Sequence, residues 1–145
     1  MNLNDPTLLR TDSYVNGAWT KAKGDKRFAV TNPANGAVIA EVADLGAAEV
    51  SAAIDAAVPA QKEWAARTAK DRAMVLRKWY DLIMANADDL AIILTTEMGK
   101  PLAEARGEVA YGASFIDWFG EEARRVCGDV MESPIPDKRF LTFKQ

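Results

Sequence analysis

Apolar positions recur three and four apart along the middle of this chain and alternate at its two ends. The middle therefore predicts helices and the ends predict strands. A first helix is expected to begin near residues 45–47, with Asp44 as its N-cap. Val50, Ile54, Ala57 and Trp64 mark its apolar side, and the alanine-rich run 52–57 favours it. Pro59 falls inside this pattern, where it removes a backbone bond, so the helix either ends near Val58 and restarts or kinks there. A second helix opens at Thr68, whose side chain can cap the amide of Asp71. Met74, Val75, Trp79, Leu82 and Ile83 form its apolar face. Residues 86–89 read as an interruption, with Asp88 placed to cap the helical turns after it, and Leu90, Ile93 and Leu94 carry the pattern to Gly99. A third helix, over residues 101–126, has the most regular spacing: Leu102, Ala105, Val109, Gly112, Ile116, Phe119, Ala123 and Val126. Alternation of three and four gives a narrow seam of the kind used between packed helices. Gly112 lies on that seam, which predicts a close backbone approach there. Phe115 and Trp118 lie off it, so cover on more than one side is expected.

Residues 1–12 are polar with scattered leucines and read as a surface arm. Tyr14-Val15-Asn16-Gly17-Ala18-Trp19 reads as a tight hairpin, because Asn-Gly supplies the two positive φ angles of a type I′ turn. Residues 21–26 form a charged loop. Arg27–Thr31 alternates, Asn32-Pro33-Ala34-Asn35-Gly36 is a turn, and residues 37–42 return. These two hairpins are expected to make one small antiparallel sheet. After Gly128, expected to end the third helix, residues 130–133 are extended, Pro134-Ile135-Pro136-Asp137 turns, and residues 139–144 form a strand. That last strand is apolar and bare, an arrangement proteins normally cover.

Residues 95–108 hold the corner between the second and third helices. Gly99 suits the left-handed position just past a helix end, and Pro101 the first turn of the next helix. The Gly99-Lys100 pair is not a phosphate loop. That motif needs glycine five residues earlier and Ser or Thr next, and here those positions hold Leu94 and Pro101.

The 145 residues amount to about one domain. With 49% hydrophobic and 27% charged residues, a packed chain rather than a disordered one is expected. A net charge of −3 argues against a nucleic-acid groove or an anionic membrane surface as partner. No apolar run is long enough to span a bilayer, and the amino terminus has no basic region followed by an apolar one. Cys127 is the single cysteine, so no internal disulfide forms and a reducing, cytoplasmic setting is expected. There is no histidine, which removes His-based triads and the usual zinc sites. No complete active site is recognisable.

Taken in order, several of these segments resemble the aldehyde dehydrogenase superfamily: Tyr14 through Trp19; Val30-Thr31-Asn32-Pro33-Ala34-Asn35-Gly36; the Asp-Ala-Ala of residues 55–57; and Glu97-Met98-Gly99-Lys100-Pro101 with Glu104-Ala105. The resemblance covers essentially the whole chain, and it is the ordered set that is specific. Gly107-Glu108-Val109, the run from Ala113 to Phe119, and Gly128-Asp129 look most like succinate-semialdehyde dehydrogenases. The resemblance implies an α/β fold of which this chain holds small antiparallel hairpins, three long helices and a C-terminal hairpin, without the complete Rossmann-type sheet. It divides the chain into an arm (1–12), hairpins and helices of the cofactor-binding domain (13–128) and the start of an oligomerisation hairpin (129–145).

For a complete enzyme it implies oxidation of an aldehyde, succinate semialdehyde above all, with NAD or NADP. A cysteine thiolate attacks the aldehyde, the resulting thiohemiacetal gives up hydride, and a glutamate-activated water hydrolyses the thioester. The nucleophile, the general base and the cofactor-binding residues are implied to lie beyond residue 145, so this chain alone is expected to be inactive. Cys127, at a helix end, is read as an incidental thiol. A structural monovalent cation is also implied, held by the backbone oxygens of Val30 and Thr31 with Glu97. Several family members have Asp where Glu97 stands. Tyr111 and Phe115 are implied to border the aldehyde entrance. A homo-oligomer is implied, with no nucleic-acid or membrane partner. The rival expectation is a stand-alone helical interaction module derived from such an enzyme.

Overall fold

A computed structural model of the chain describes residues 1–144. The elements are β1 (Ser13–Val15), β2 (Ala18–Thr20), β3 (Arg27–Thr31), β4 (Val38–Ala43), α1 (Ala47–Ala66), α2 (Ala69–Ala85), α3 (Ala87–Met98), α4 (Leu102–Glu122), β5 (Val130–Glu132) and β6 (Arg139–Leu141).

The strands form three separate antiparallel hairpins. The first two do not join into one sheet as expected, because β1 and β2 are only three residues long and pair only with each other. Their turn is as predicted: Asn16 and Gly17 both have positive φ, 48° and 81°. In the second hairpin the register shifts between Val30 and Thr31, which pair with Ala40 and Val38 and leave Ile39 over as a bulge. The return strand runs to Ala43, one residue beyond the predicted end. The last strand covers only Arg139–Leu141, not residues 139–144.

Four helices replace the expected three. Asn86 ends α2 and begins α3 with φ −113° and ψ 17°, so the interruption is a real break between two helices. Asp88 does not cap α3. It lies inside the first turn, and its carboxylate takes a 2.7 Å hydrogen bond from Arg106 of α4. At α1 the N-cap is Gly46, not Asp44, and Glu49 reaches back to accept the Gly46 amide at 2.7 Å. The same carboxylate accepts the Lys23 amide at 2.6 Å, and these two bonds hold Glu49 below the usual carboxylate range. Pro59 neither stops nor restarts α1, which is one helix of 20 residues with no buried residue. The α2 start is as predicted. Thr68 Oγ1 accepts the Asp71 amide at 3.1 Å and donates to the Asp71 carboxylate at 2.7 Å.

The packed centre is α2, α3 and α4, with α4 lying against both others. Its fully buried apolar residues are small: Ala73 on α2, Ala91 on α3, Ala105 and Ala113 on α4. Small side chains let helix backbones approach closely. Gly120, also buried, sits over α2, where an added Cβ would lie 3.5 Å from Leu76 Cβ. The buried face of α4 thus follows Ala105, Val109, Ala113, Ile116 and Gly120. Beyond Val109 the predicted positions Gly112 and Phe119 fall one residue short of the buried Ala113 and Gly120, while Ile116 lies on both faces. An α-helix has 3.6 residues per turn, so a strict seven-residue pattern drifts off a straight helix. Gly112 therefore faces open space and Phe119 is 58% exposed. Phe115 and Trp118, expected to be covered, are exposed as well.

Helix α4 ends at Glu122, four residues before the predicted end, and Gly128 does not terminate it. Gly128 instead lies against the Thr142 backbone, leaving no room for a Cβ. Next to it Asp129 and Thr142 join the two arms of the last hairpin: the Thr142 amide donates to the Asp129 carbonyl and the Asp129 amide to Thr142 Oγ1, both at 2.9 Å.

Candidate functional site

The corner after α3 is where the second hairpin meets the helices. Gly99 takes φ 81° and ψ 8°, and its amide donates to the Thr95 carbonyl at 2.9 Å, closing the helix. The Pro33 ring rests on Gly99 so closely that an added Cβ would be 2.8 Å from Pro33 Cγ. Pro33 is held there by its turn. The Asn32 carbonyl accepts the Gly36 amide at 2.8 Å, the Asn32 side chain accepts the Ala34 amide at 2.9 Å, and the Asn32 amide donates to the Ala37 carbonyl at 2.9 Å. The sequence therefore brings the turn just after Val30 and Thr31 against the end of the helix that carries Glu97.

Around this corner Lys100 is largely buried, with 13% of its side chain exposed, and forms an ion pair with Glu108 of α4. Glu97 is exposed, and the last turn of α3 contains no basic residue. The Thr95 hydroxyl is buried and has no protein partner. Among the described residues no group of three or more His, Cys, Asp or Glu side chains gathers as a metal site. One carboxylate with backbone oxygens nevertheless suits a hard monovalent cation, and the carbonyl end of a helix favours positive charge.

Tyr111 and Phe115 lie one turn apart on α4 and touch edge to face, with ring centroids 4.8 Å apart. Both are exposed. Trp118 and Phe119 follow on the same helix, and Ser114, Phe115, Trp118 and Phe119 line an open hollow. The structure thus brings Tyr111 and Phe115 together in one aromatic stripe, on a different part of the molecule's sequence from the Val30, Thr31 and Glu97 corner. Cys127 is exposed, and its thiol lies 3.4 Å from the Arg125 carbonyl, with no hydrogen-bonded base.

The roles of Lys100 and Pro33 escaped sequence reasoning. Both depend on partners distant in sequence, and the signal available, a Gly-Lys pair, was informative only about what it is not.

The aldehyde dehydrogenase family model matches residues 19–145. The chain is 52% identical over all 145 residues to a glutarate-semialdehyde dehydrogenase of Pseudomonas aeruginosa, covering 30% of that protein. It is 50% identical, also over 145 residues and 30% of the relative, to the succinate-semialdehyde dehydrogenase (NADP(+)) GabD of Escherichia coli K12. Among solved structures, an aldehyde dehydrogenase from Brucella melitensis biovar abortus 2308 superposes with a TM-score of 0.91 at 55% identity, over 96% of this chain and 29% of that one. The chain therefore spans under a third of the length of the relatives it matches.

Proposed function

The chain belongs to the aldehyde dehydrogenase family, and we propose that it forms the amino-terminal part of an enzyme that oxidises a carboxylate-bearing semialdehyde, succinate semialdehyde above all, with NAD or NADP. One observation carries this reading. Relatives named for succinate and glutarate semialdehydes match the chain from end to end at about half identity. In the complete enzyme the bound nicotinamide cofactor supplies the hydride acceptor. The cysteine nucleophile and its glutamate-activated water belong to the part of the family's length that this chain does not span. Cys127 supports that division, since it is exposed and has no base to activate it. We place residues 13–128 as the hairpins and helices that brace the cofactor-binding domain, and residues 129–145 as the start of an oligomerisation hairpin in a cytoplasmic homo-oligomer.

The test is to assay two proteins. The 145-residue chain alone should reduce neither NAD nor NADP with succinate semialdehyde. The product of the complete reading frame should reduce one of them. Turnover by the short chain overturns the division of labour. A coding sequence that stops after codon 145 overturns the enzyme reading and leaves an interaction module.

Within this reading, Val30 and Thr31 offer backbone oxygens and Glu97 a carboxylate to a structural monovalent cation. The Pro33–Gly99 contact supports it by bringing the hairpin's turn to the end of α3. Glu97→Gln should make thermal stability less responsive to added potassium or sodium, and an unchanged response leaves Glu97 as a helix-end residue. Tyr111 and Phe115 are proposed to border the aldehyde entrance. Phe115→Ala in the complete enzyme should raise KM for the aldehyde more than it lowers kcat.

A further inference from the structure

The first twelve residues make a chain of contacts that their composition does not announce. Asp89, in the first turn of α3, is 3% exposed, the one charged residue buried that completely among the described residues. Its two oxygens take three hydrogen bonds, all from the arm: the Asn4 amide at 3.0 Å and the Asn4 side-chain amide at 3.1 Å on one oxygen, the Asp5 amide at 2.8 Å on the other. A buried carboxylate is costly unless its lone pairs are satisfied, so these bonds hold each partner in place. The arm then turns. Asp5 accepts the Thr7 amide at 2.9 Å and the Thr7 hydroxyl at 2.7 Å, capping a single 3-10 turn over Pro6–Leu8. Further on, the Arg10 guanidinium lies 5.0 Å above the Trp19 ring. The Thr11 carbonyl accepts the Ala43 amide at the end of β4, at 2.8 Å. Asp12 accepts Arg27 Nη2 at the start of β3, at 2.6 Å.

The arm thus starts at the first turn of α3 and finishes at the open end of the β3–β4 hairpin. The other end of that hairpin, its Pro33 turn, rests on Gly99 at the last turn of the same helix. The lengths agree. Twelve residues of α3 span about 18 Å, and six residues of β4 about 20 Å. We propose that residues 1–12 are a strap that clamps the open end of the β3–β4 hairpin to α3, with Asp89 as its lock and the Pro33–Gly99 contact as the fixed end. Asp89 acts as a positioning residue through Asn4 and Asp5. Releasing it frees the open end of the hairpin while the turn end stays seated.

Amide hydrogen exchange on the full-length protein tests this. Asp89→Ala should speed exchange at Asn4, Asp5 and Ala43 about tenfold or more, together with the β3–β4 ladder amides near Arg27, while Gly36 at the turn changes little. Removal of residues 2–5 leaves Asp89 in place and should reproduce that pattern in the hairpin, which keeps the test valid if Asp89→Ala fails to fold. Asp89→Asn, retaining one acceptor oxygen, should fall between wild type and Asp89→Ala. If the arm deletion leaves hairpin exchange unchanged, or if only α3 frays, Asp89 is a local helix-end residue and the strap is overturned.

Discussion

Three single residues show how local backbone chemistry and tertiary contact divide the work. Gly99 needs both its freedoms, because φ is +81° and Pro33 fills the space a Cβ would take. Gly99→Ala should cost about 2 kcal/mol or more, since the left-handed conformation alone costs an L-residue roughly 1–2 kcal/mol, and denaturant unfolding will read it. Gly112 needs neither freedom. It lies within α4 with nothing within 4 Å of an added Cβ. Gly112→Ala should therefore stabilise by roughly 0.5–1 kcal/mol through helix propensity, and a loss of stability would show that the position is covered. Glu49 makes a pH prediction. Its folded pKa lies below the reference value of 4.5, because the Gly46 and Lys23 amides bond the charged form. Its stabilising effect is complete above that reference value and is lost as pH falls through the lower folded value. Glu49→Gln should be less stable than wild type near neutrality and converge with it on the acid side, as pH-dependent melting will show.

Among the elements, α1 is the test of propensity against packing. Pro59 lies inside a helix none of whose residues is buried. Only partial burial, at Glu49, Ala53, Ala56 and Trp64, therefore offsets the missing amide bond or the ring's clash with the preceding turn. Pro59→Ala should leave the native far-ultraviolet circular dichroism nearly unchanged, because α1 is already helical through Pro59, and raise the melting temperature by stabilising α1 by up to about 3 kcal/mol. An unchanged melting temperature would mean that the Pro59 position carries no helix penalty in this fold. The elements legible in the sequence share this local character. The Thr68 cap, the Asn16-Gly17 turn and the Gly99 stop are all written within about four residues of chain. The α4 seam was legible at Ala105, Val109 and Ile116 but not at Ala113 and Gly120, because the three-four alternation assumes a supercoiled partner while α4 packs on α2 and α3 as an ordinary helix. Asp89 and Lys100 were not legible. Their partners, Asn4 and Glu108, are identified by the fold and by no spacing rule. The same limit applies to the candidate corner. The family resemblance named Val30, Thr31 and Glu97, whereas only the structure shows Pro33 seated on Gly99.

For the whole molecule the informative feature is the exposed apolar surface. The buried apolar core is made of alanines, while Trp118, Phe119, Phe140, Leu141 and Phe143 are each more than half exposed. Exposed apolar side chains on this scale mark contact with further polypeptide, whether a second copy of this chain or the part of the family's length that it does not span. The last hairpin is the clearest case. All six residues of β5 and β6 are exposed, and each strand pairs only with the other, so both outer edges retain free backbone donors and acceptors. Edges of this kind recruit strands. The 145-residue chain should therefore associate reversibly with concentration in sedimentation velocity. Phe140→Ser with Leu141→Ser should shift it toward monomer, because both changes remove apolar area without touching the hairpin's backbone ladder. Helix content should stay constant, since neither residue contacts the α2–α3–α4 centre through a buried side chain. Association that survives the double substitution would move the contact to the aromatic stripe of α4, where Phe115→Ser with Trp118→Ser gives the matching measurement.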